Sequence, residues 1–136
     1  MDRATGVSLV DAVAASCAVP GIRPPVTIAG RRYMDGGMRS ATNADLASGS
    51  DRILILNPRG EAANSFGVGT ASEVAALERE GSRVLVITPD AASVAAIGLN
   101  SSDPAAREPS ARAGRAQGRE LAAPVAALWS DKEGRK

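Results

Sequence analysis

The sequence predicts an α/β fold with a mainly parallel sheet, and three observations carry that expectation. Residues 53–56 (ILIL) and 84–87 (VLVI) are short continuous apolar runs, the pattern of strands buried on both faces. Residues 71–80 between them read as a helix, with Gly81 as its C-terminal cap. The order strand, helix, strand makes the two strands parallel neighbours.

The other elements follow from local signals. Residues 8–17 (SLVDAVAASC) read as a helix in which Ser8 caps the N-terminus and Asp11, three positions on, completes a capping box. Pro20-Gly21 stops it, and Pro24-Pro25 forces an extended segment. VTIAGRRYM then reads as two short strands around a tight turn at Ala29-Gly30. Residues 43–47 are expected to form a helical turn, residues 57–70 a loop, and residues 91–97 a helix. Residues 98–110 look loop-like. Residues 110–130 look like one or two helices weakened at Gly114, Gly118 and Pro124. Leu121, Val125, Leu128 and Trp129 recur at helical spacing and are expected to pack on the sheet.

Composition bounds what the chain can be. Its 136 residues suit one domain. The hydrophobic share of 44% is ordinary, but aromatics make up only 2%, so Ala, Val, Leu and Ile must fill a thin core. A net charge of +1 gives no general case for nucleic acid or an anionic membrane. Residues 1–103 hold nine basic and eleven acidic side chains, and residues 104–136 hold seven and four. The mildly cationic end, with Arg107, Arg112, Arg115 and Arg119, leaves peripheral contact with a lipid surface open, although few large apolar residues accompany these arginines. Arg31, Arg32 and Arg39 are read as solvated. Cys17 is the single cysteine, which rules out an internal disulfide, fits a cytoplasmic setting and suggests a small buried side chain. No apolar run reaches the length of a membrane span. Residues 1–17 mimic a signal sequence ending in a lipidated cysteine, but Asp11 interrupts the apolar stretch and Asp2 flanks Arg3.

Absences narrow the chemistry. There is no histidine, so neither a Ser-His-Asp triad nor a zinc site built on His and Cys is available, and no metal or other cofactor is expected. G-x-S-x-G, the P-loop and a complete G-x-G-x-x-G are missing; Gly67-Val68-Gly69 gives only the first half of the last. Ser8, Ser16 and Ser40 are hydroxyls outside any elbow motif, Ser8 being read as a cap and Ser16 as a packed helix residue. What remains is Asp35, followed by Gly36 and Gly37 at the end of a strand. Glycines let a carboxylate approach a substrate or another side chain closely, with backbone angles closed to other residues. Taken alone, these three residues describe an ordinary Asp-Gly turn better than a site.

Their neighbours add weight. Ala15-Ser16-Cys17-Ala18-Val19-Pro20, Pro24-Pro25, Asp35-Gly36-Gly37 and Asn43-Ala44-Asp45 stand in an order and spacing that resembles the patatin-like phospholipase family, bacterial members in particular. The resemblance is strong over residues 7–58 and looser beyond them. It implies a three-layer α/β/α sandwich of which this chain is the C-terminal part. Residues 1–58 would be the end of the patatin-like domain with its D-G-G motif, and residues 59–136 a strand-and-helix extension of it. It also implies a Ser-Asp dyad that hydrolyses a lipid acyl ester without histidine, with Asp35 as the base and Gly36 and Gly37 shaping its loop. A base of this kind works through a hydroxyl held close to it.

The family's nucleophile, in G-x-S-x-G, and its oxyanion loop precede the D-G-G motif, and this sequence holds neither. It is therefore expected to be part of such an enzyme, completed by an N-terminal half or a complementing chain, or else a non-catalytic remnant or lipid-binding module. An unrelated α/β domain with a simple Asp-Gly turn is the remaining alternative. Without oxyanion donors the largest electrostatic contribution to acyl transfer is missing. The chain by itself should show no serine-hydrolase activity above background; a fluorophosphonate probe should leave its mass unchanged, and a covalent adduct would contradict the reading.

Overall fold

The computed structural model describes residues 6–60, 69–100 and 102–130. Much of the expected 57–70 loop, including Gly67 and Val68 of the half-fingerprint, lies outside the described residues, as do residues 1–5.

Helix α1 spans Leu9–Ser16. The Ser8 side chain accepts from the Asp11 N–H at 3.1 Å, the expected cap, but the Asp11 carboxylate returns to the Ser8 hydroxyl at 2.8 Å and not to its backbone N–H, so half of the expected capping box forms. Ala15 is buried, yet Leu9, Val10 and Val13 are exposed. Ser16 and Cys17 are exposed too, contrary to expectation, because they lie on the outward side of the last turn. Strands β1 (Val26–Ile28) and β2 (Arg31–Tyr33) form an antiparallel hairpin in which Ile28 faces Arg31. Ala29 and Gly30 both have positive φ, 49° and 76°. That is the twist a two-residue hairpin loop requires, although alanine is a poor choice for it.

Strands β3 (Arg52–Leu56) and β4 (Arg83–Ile87) pair in parallel, with Ile53 beside Val84 and Ile55 beside Val86. Helix α2 (Thr70–Arg79) connects them and ends in a Schellman motif. Gly81, at φ 97°, donates to the Glu78 carbonyl, and Ser82 donates to the Leu77 carbonyl. Ala44, Ile53, Ile55 and Leu77 form the buried core, flanked by Ala47, Val74, Val84 and Val86. The core is as thin as the composition implies, and it lies on one face of the sheet.

The expectation that both strands are buried on both faces needs correcting. Ile53 and Ile55 are buried, Leu54 is half-buried and Leu56 is 66% exposed. Among the described residues each strand has a single neighbour, so both are edge strands and the second face has only partial cover. Helix α5 (Ala122–Trp129) touches both strands, with Leu128 buried outside the core cluster and Trp129 half exposed. A shallow groove of about 360 Å³ runs along β3, lined by Leu46, Ala47, Leu54 and Leu56 among others.

Helix α3 (Ala91–Ile97) starts at Asp90, whose carboxylate accepts from the Ser93 N–H at 2.7 Å. Helix α4 (Arg107–Glu120) starts earlier than expected and takes Pro109 into its first turn. That position tolerates proline because its N–H would have had no helical partner. Gln117 fastens α4 to the end of β4: its Nε2 donates to the Thr88 carbonyl at 2.7 Å, and its Oε1 accepts from the Ser93 hydroxyl at 3.0 Å. The arginines of α4 are exposed, and Arg112 pairs with Glu108 along the helix. No helix among the described residues is long and apolar enough to cross a membrane.

The hairpin turn generates a stability prediction. Ala29→Asn relieves the left-handed strain and should raise stability by about 0.5–1 kcal/mol, while Ala29→Val should lower it. Urea unfolding midpoints at constant slope measure both changes; equal midpoints in all three proteins would show that the turn carries no strain.

Candidate functional site

Asp35 follows β2 and is held at both its backbone and its side chain. Its N–H donates to the Ala18 carbonyl at 3.0 Å, which ties the end of the hairpin to the end of α1. Its Oδ1 accepts from the Gly37 N–H at 2.7 Å, and so Asp35 caps a short 3-10 helix over Gly36–Met38. The side chain is half-buried. A carboxylate oriented through one oxygen can still accept a proton at the other.

The two glycines act differently from the expectation. Neither has positive φ. A Cβ on Gly37 would lie 2.9 Å from the Asp35 Oδ1, closer than real side chains approach, so a side chain there would push the carboxylate off its amide. A Cβ on Gly36 would meet the Asn43 Nδ2 at an ordinary 3.7 Å. The constraint at position 37 is therefore space beside the carboxylate, not backbone freedom.

The chain after the glycines forms a polar knot. Ser40 is buried, and its Oγ accepts from the N–H groups of Thr42 and Asn43. Asn43 adopts the left-handed conformation (φ 49°, ψ 37°) and precedes a 3-10 helix over Ala44–Ala47. Its Nδ2 donates to the carbonyls of Gly36 at 3.0 Å and Ser40 at 3.1 Å. Its Oδ1 accepts from the Arg39 Nη1 at 3.0 Å. Arg39 also grips Asp45 with both guanidinium nitrogens, at 2.8 and 2.5 Å. That hydrogen bond holds the Asp45 carboxyl below its ordinary value and raises the Arg39 guanidinium above its own. Arg39 is therefore exposed but paired, whereas the sequence reading left it as a free solvated charge.

Two hydrogen bonds place this knot relative to the sheet. The Thr42 hydroxyl donates to Glu73, buried in the first turn of α2, at 2.6 Å, and the Ser48 hydroxyl donates to Glu80 beyond its last turn at 2.7 Å. The start of α2 adjoins the C-terminal end of β3, where the Asn57 Nδ2 reaches the Thr70 Oγ1 at 3.3 Å. The knot therefore lies toward the C-terminal ends of the parallel strands, the end where open α/β sheets bind their ligands. A groove of about 530 Å³ lined by Arg59, Ile97 and Arg107 among others opens just past β3.

With that geometry in place, comparison with known proteins locates a likeness in one part of the chain. Residues 1–48 match the sequence model of a family described as Patatin-like phospholipase. The span runs from α1 through the hairpin, Asp35, Gly36 and Gly37 to the end of the 3-10 helix at Ala47. The match stops at residue 48, so the likeness read over residues 49–58 and the looser likeness beyond them both fall outside it. No curated protein and no solved structure matches the chain.

The serines singled out in the sequence are otherwise engaged or turned outward: Ser8 caps α1, Ser40 anchors the knot, and Ser16 is exposed. Among the described residues no group of three or more His, Cys, Asp or Glu side chains is placed to hold a metal ion. Sequence reasoning missed Asn43, Ser40 and Glu73 as organisers of the loop. For Asn43 a signal existed, since asparagine tolerates left-handed backbone and begins the Asn43-Ala44-Asp45 stretch. Glu73 gave none, because a glutamate in a first helical turn reads as a solvated charge favoured by the helix dipole.

The Arg39–Asp45 pair carries a pH prediction. The folded carboxyl lies below its ordinary value of 3.8, so the pair's stabilisation is complete above that value and is lost as pH falls through the lower folded one. Asp45→Asn should therefore unfold slightly earlier than the parent protein in urea above about pH 5 and match it in strong acid. Because the pair is exposed, the gap should be small and should narrow in about 0.5 M salt. A gap that widens as the pH is lowered would contradict this.

Proposed function

We propose that this chain is the C-terminal portion of a patatin-like serine acyl hydrolase that cleaves lipid acyl esters, with Asp35 as the base of a Ser-Asp dyad. The observation that carries the reading is the coincidence of the patatin-like match with an organised carboxylate: residues 1–48 contain Asp35, whose Oδ1 is held by the Gly37 N–H. In this reading Asp35 takes the proton of a serine hydroxyl as that oxygen attacks the acyl carbonyl, and later returns it to the leaving alcohol. The serine would come from a G-x-S-x-G elbow in an N-terminal half or a complementing chain. The parallel pair β3–β4 would then be one margin of a larger three-layer sandwich, with residues 1–58 and 59–136 in the same domain. The apolar groove beside β3, the exposed Leu56 and the single neighbour of each parallel strand among the described residues support this, since a buried parallel strand expects neighbours on both sides. The lone Cys17 fits a cytoplasmic setting.

A second reading, a lipid-binding module without chemistry, draws on the apolar side chains of Leu9, Val10, Val13 and Ile22, all exposed on or just after α1. Such a surface can rest against acyl chains at a membrane face. The two readings separate at Asp35. In a complex of this chain with a polypeptide carrying the serine elbow, Asp35→Asn should lower kcat for a p-nitrophenyl ester by at least about a hundredfold, with the urea midpoint nearly unchanged. Unaltered turnover in that variant would reduce the Asp-Gly-Gly segment to a turn.

A further inference from the structure

We infer that Asn43 is the positioning residue of the Asp35 loop: through one peptide group its carboxamide sets where the carboxylate points. The inference rests on the reading of Asp35 as the base. The Gly36 carbonyl and the Gly37 N–H belong to the same peptide unit. Asn43 Nδ2 holds the oxygen of that unit at 3.0 Å, and Asp35 Oδ1 holds its N–H at 2.7 Å. A peptide group is planar and rigid, so fixing its oxygen fixes the direction of its hydrogen. The result is a continuous chain from the Asn43 amide through the Gly36–Gly37 peptide to the carboxylate, and bonds in such a chain polarise one another.

Asn43 is itself over-determined. Its second Nδ2 hydrogen goes to the Ser40 carbonyl, its Oδ1 takes the Arg39 guanidinium, and its N–H goes to the buried Ser40 hydroxyl. Arg39 is held in turn by Asp45, in the first turn of the 3-10 helix that packs its Ala44 into the core. The carboxylate is thus referenced to the sheet through Asn43. The left-handed backbone at Asn43 is needed to turn its side chain back over Gly36, and asparagine or glycine accepts that conformation readily.

This separates two substitutions. Asn43→Gly keeps the backbone and deletes the carboxamide. Asn43→Asp keeps the short side chain and its acceptor for Arg39 but presents an oxygen to the Gly36 carbonyl instead of a donor. Amide hydrogen exchange of the full chain, followed by NMR, reads the peptide directly. In both variants exchange at Gly37 should rise by about tenfold, the effect of one lost hydrogen bond, while the sheet amides of Asn57 and Arg83 change by less than about twofold. Unchanged protection at Gly37 in either variant would overturn the inference. So would an equal loss at Gly37, Asn57 and Arg83, which would mark Asn43 as a general stabiliser. In the complemented complex both variants should lower kcat and leave KM nearly unchanged, because aim and not binding is lost; a change confined to KM would also overturn it. Intact turnover in Asp35→Asn would remove the base reading alone, and the Gly37 exchange result would still decide what Asn43 does.

Discussion

Burial of Leu77 against Ile53, Ile55 and Ala44 is the contact on which the remaining architecture depends. With only three aromatic side chains in the sequence, this small aliphatic cluster is the main source of apolar burial. A fully buried leucine contributes roughly 1.5–3 kcal/mol relative to an exposed one, and few other large side chains here are as well covered. The cluster also joins distant pieces of chain. Ala44 comes from the segment that follows Asp35, Ile53 and Ile55 from the first parallel strand, and Leu77 from the helix between the strands. Through Ala44 the core fixes one end of the polar knot, and the knot fixes the loop that carries the carboxylate.

The knot shows how a site can be rigid without being deeply buried. Arg39 and Asp45 are substantially solvated, and a single exposed ion pair between them would contribute little. Their order comes from saturation: Asn43 uses both amide hydrogens, its carbonyl oxygen and its backbone N–H, while Ser40 and Thr42 tie the same turn to the interior and to Glu73. Among the described residues no buried side-chain nitrogen or oxygen lacks a partner, as a specified polar cluster requires. Gly37 then supplies the space that lets the Asp35 oxygen sit against its own loop.

The apolar surface is distributed in the opposite way. Leu9, Val10 and Val13 on α1, Ile22 after it, and Leu46 and Leu56 beside the groove along β3 face outward. Parallel strands with such side chains are normally covered on both faces and both edges. The chain thus combines a carboxylate loop held by many hydrogen bonds with apolar side chains left exposed on α1 and at the end of β3.

Much of this was legible in the residues. The Ser8 cap, the two-residue turn at Ala29-Gly30, the parallel pairing of ILIL with VLVI, the glycine beyond α2 and the helix after Asp90 all follow from local chemistry acting over a few positions. The choice of Asp35 had another source, the resemblance of its surroundings to the patatin-like family, since Asp35-Gly36-Gly37 taken alone read as an ordinary turn. Burial was not legible. Apolarity says that a side chain can be covered but not that a neighbour exists to cover it, which is why Cys17, Ser16 and Leu56 lie outside and Glu73 inside. The reason Gly37 must be glycine was equally hidden, because it depends on where the Asp35 oxygen rests. Sequence by itself determined most of the elements; only tertiary structure decided how the Asp35 loop is held, because the Gly36–Gly37 peptide is gripped by an asparagine seven residues along the chain that local propensity does not connect to it.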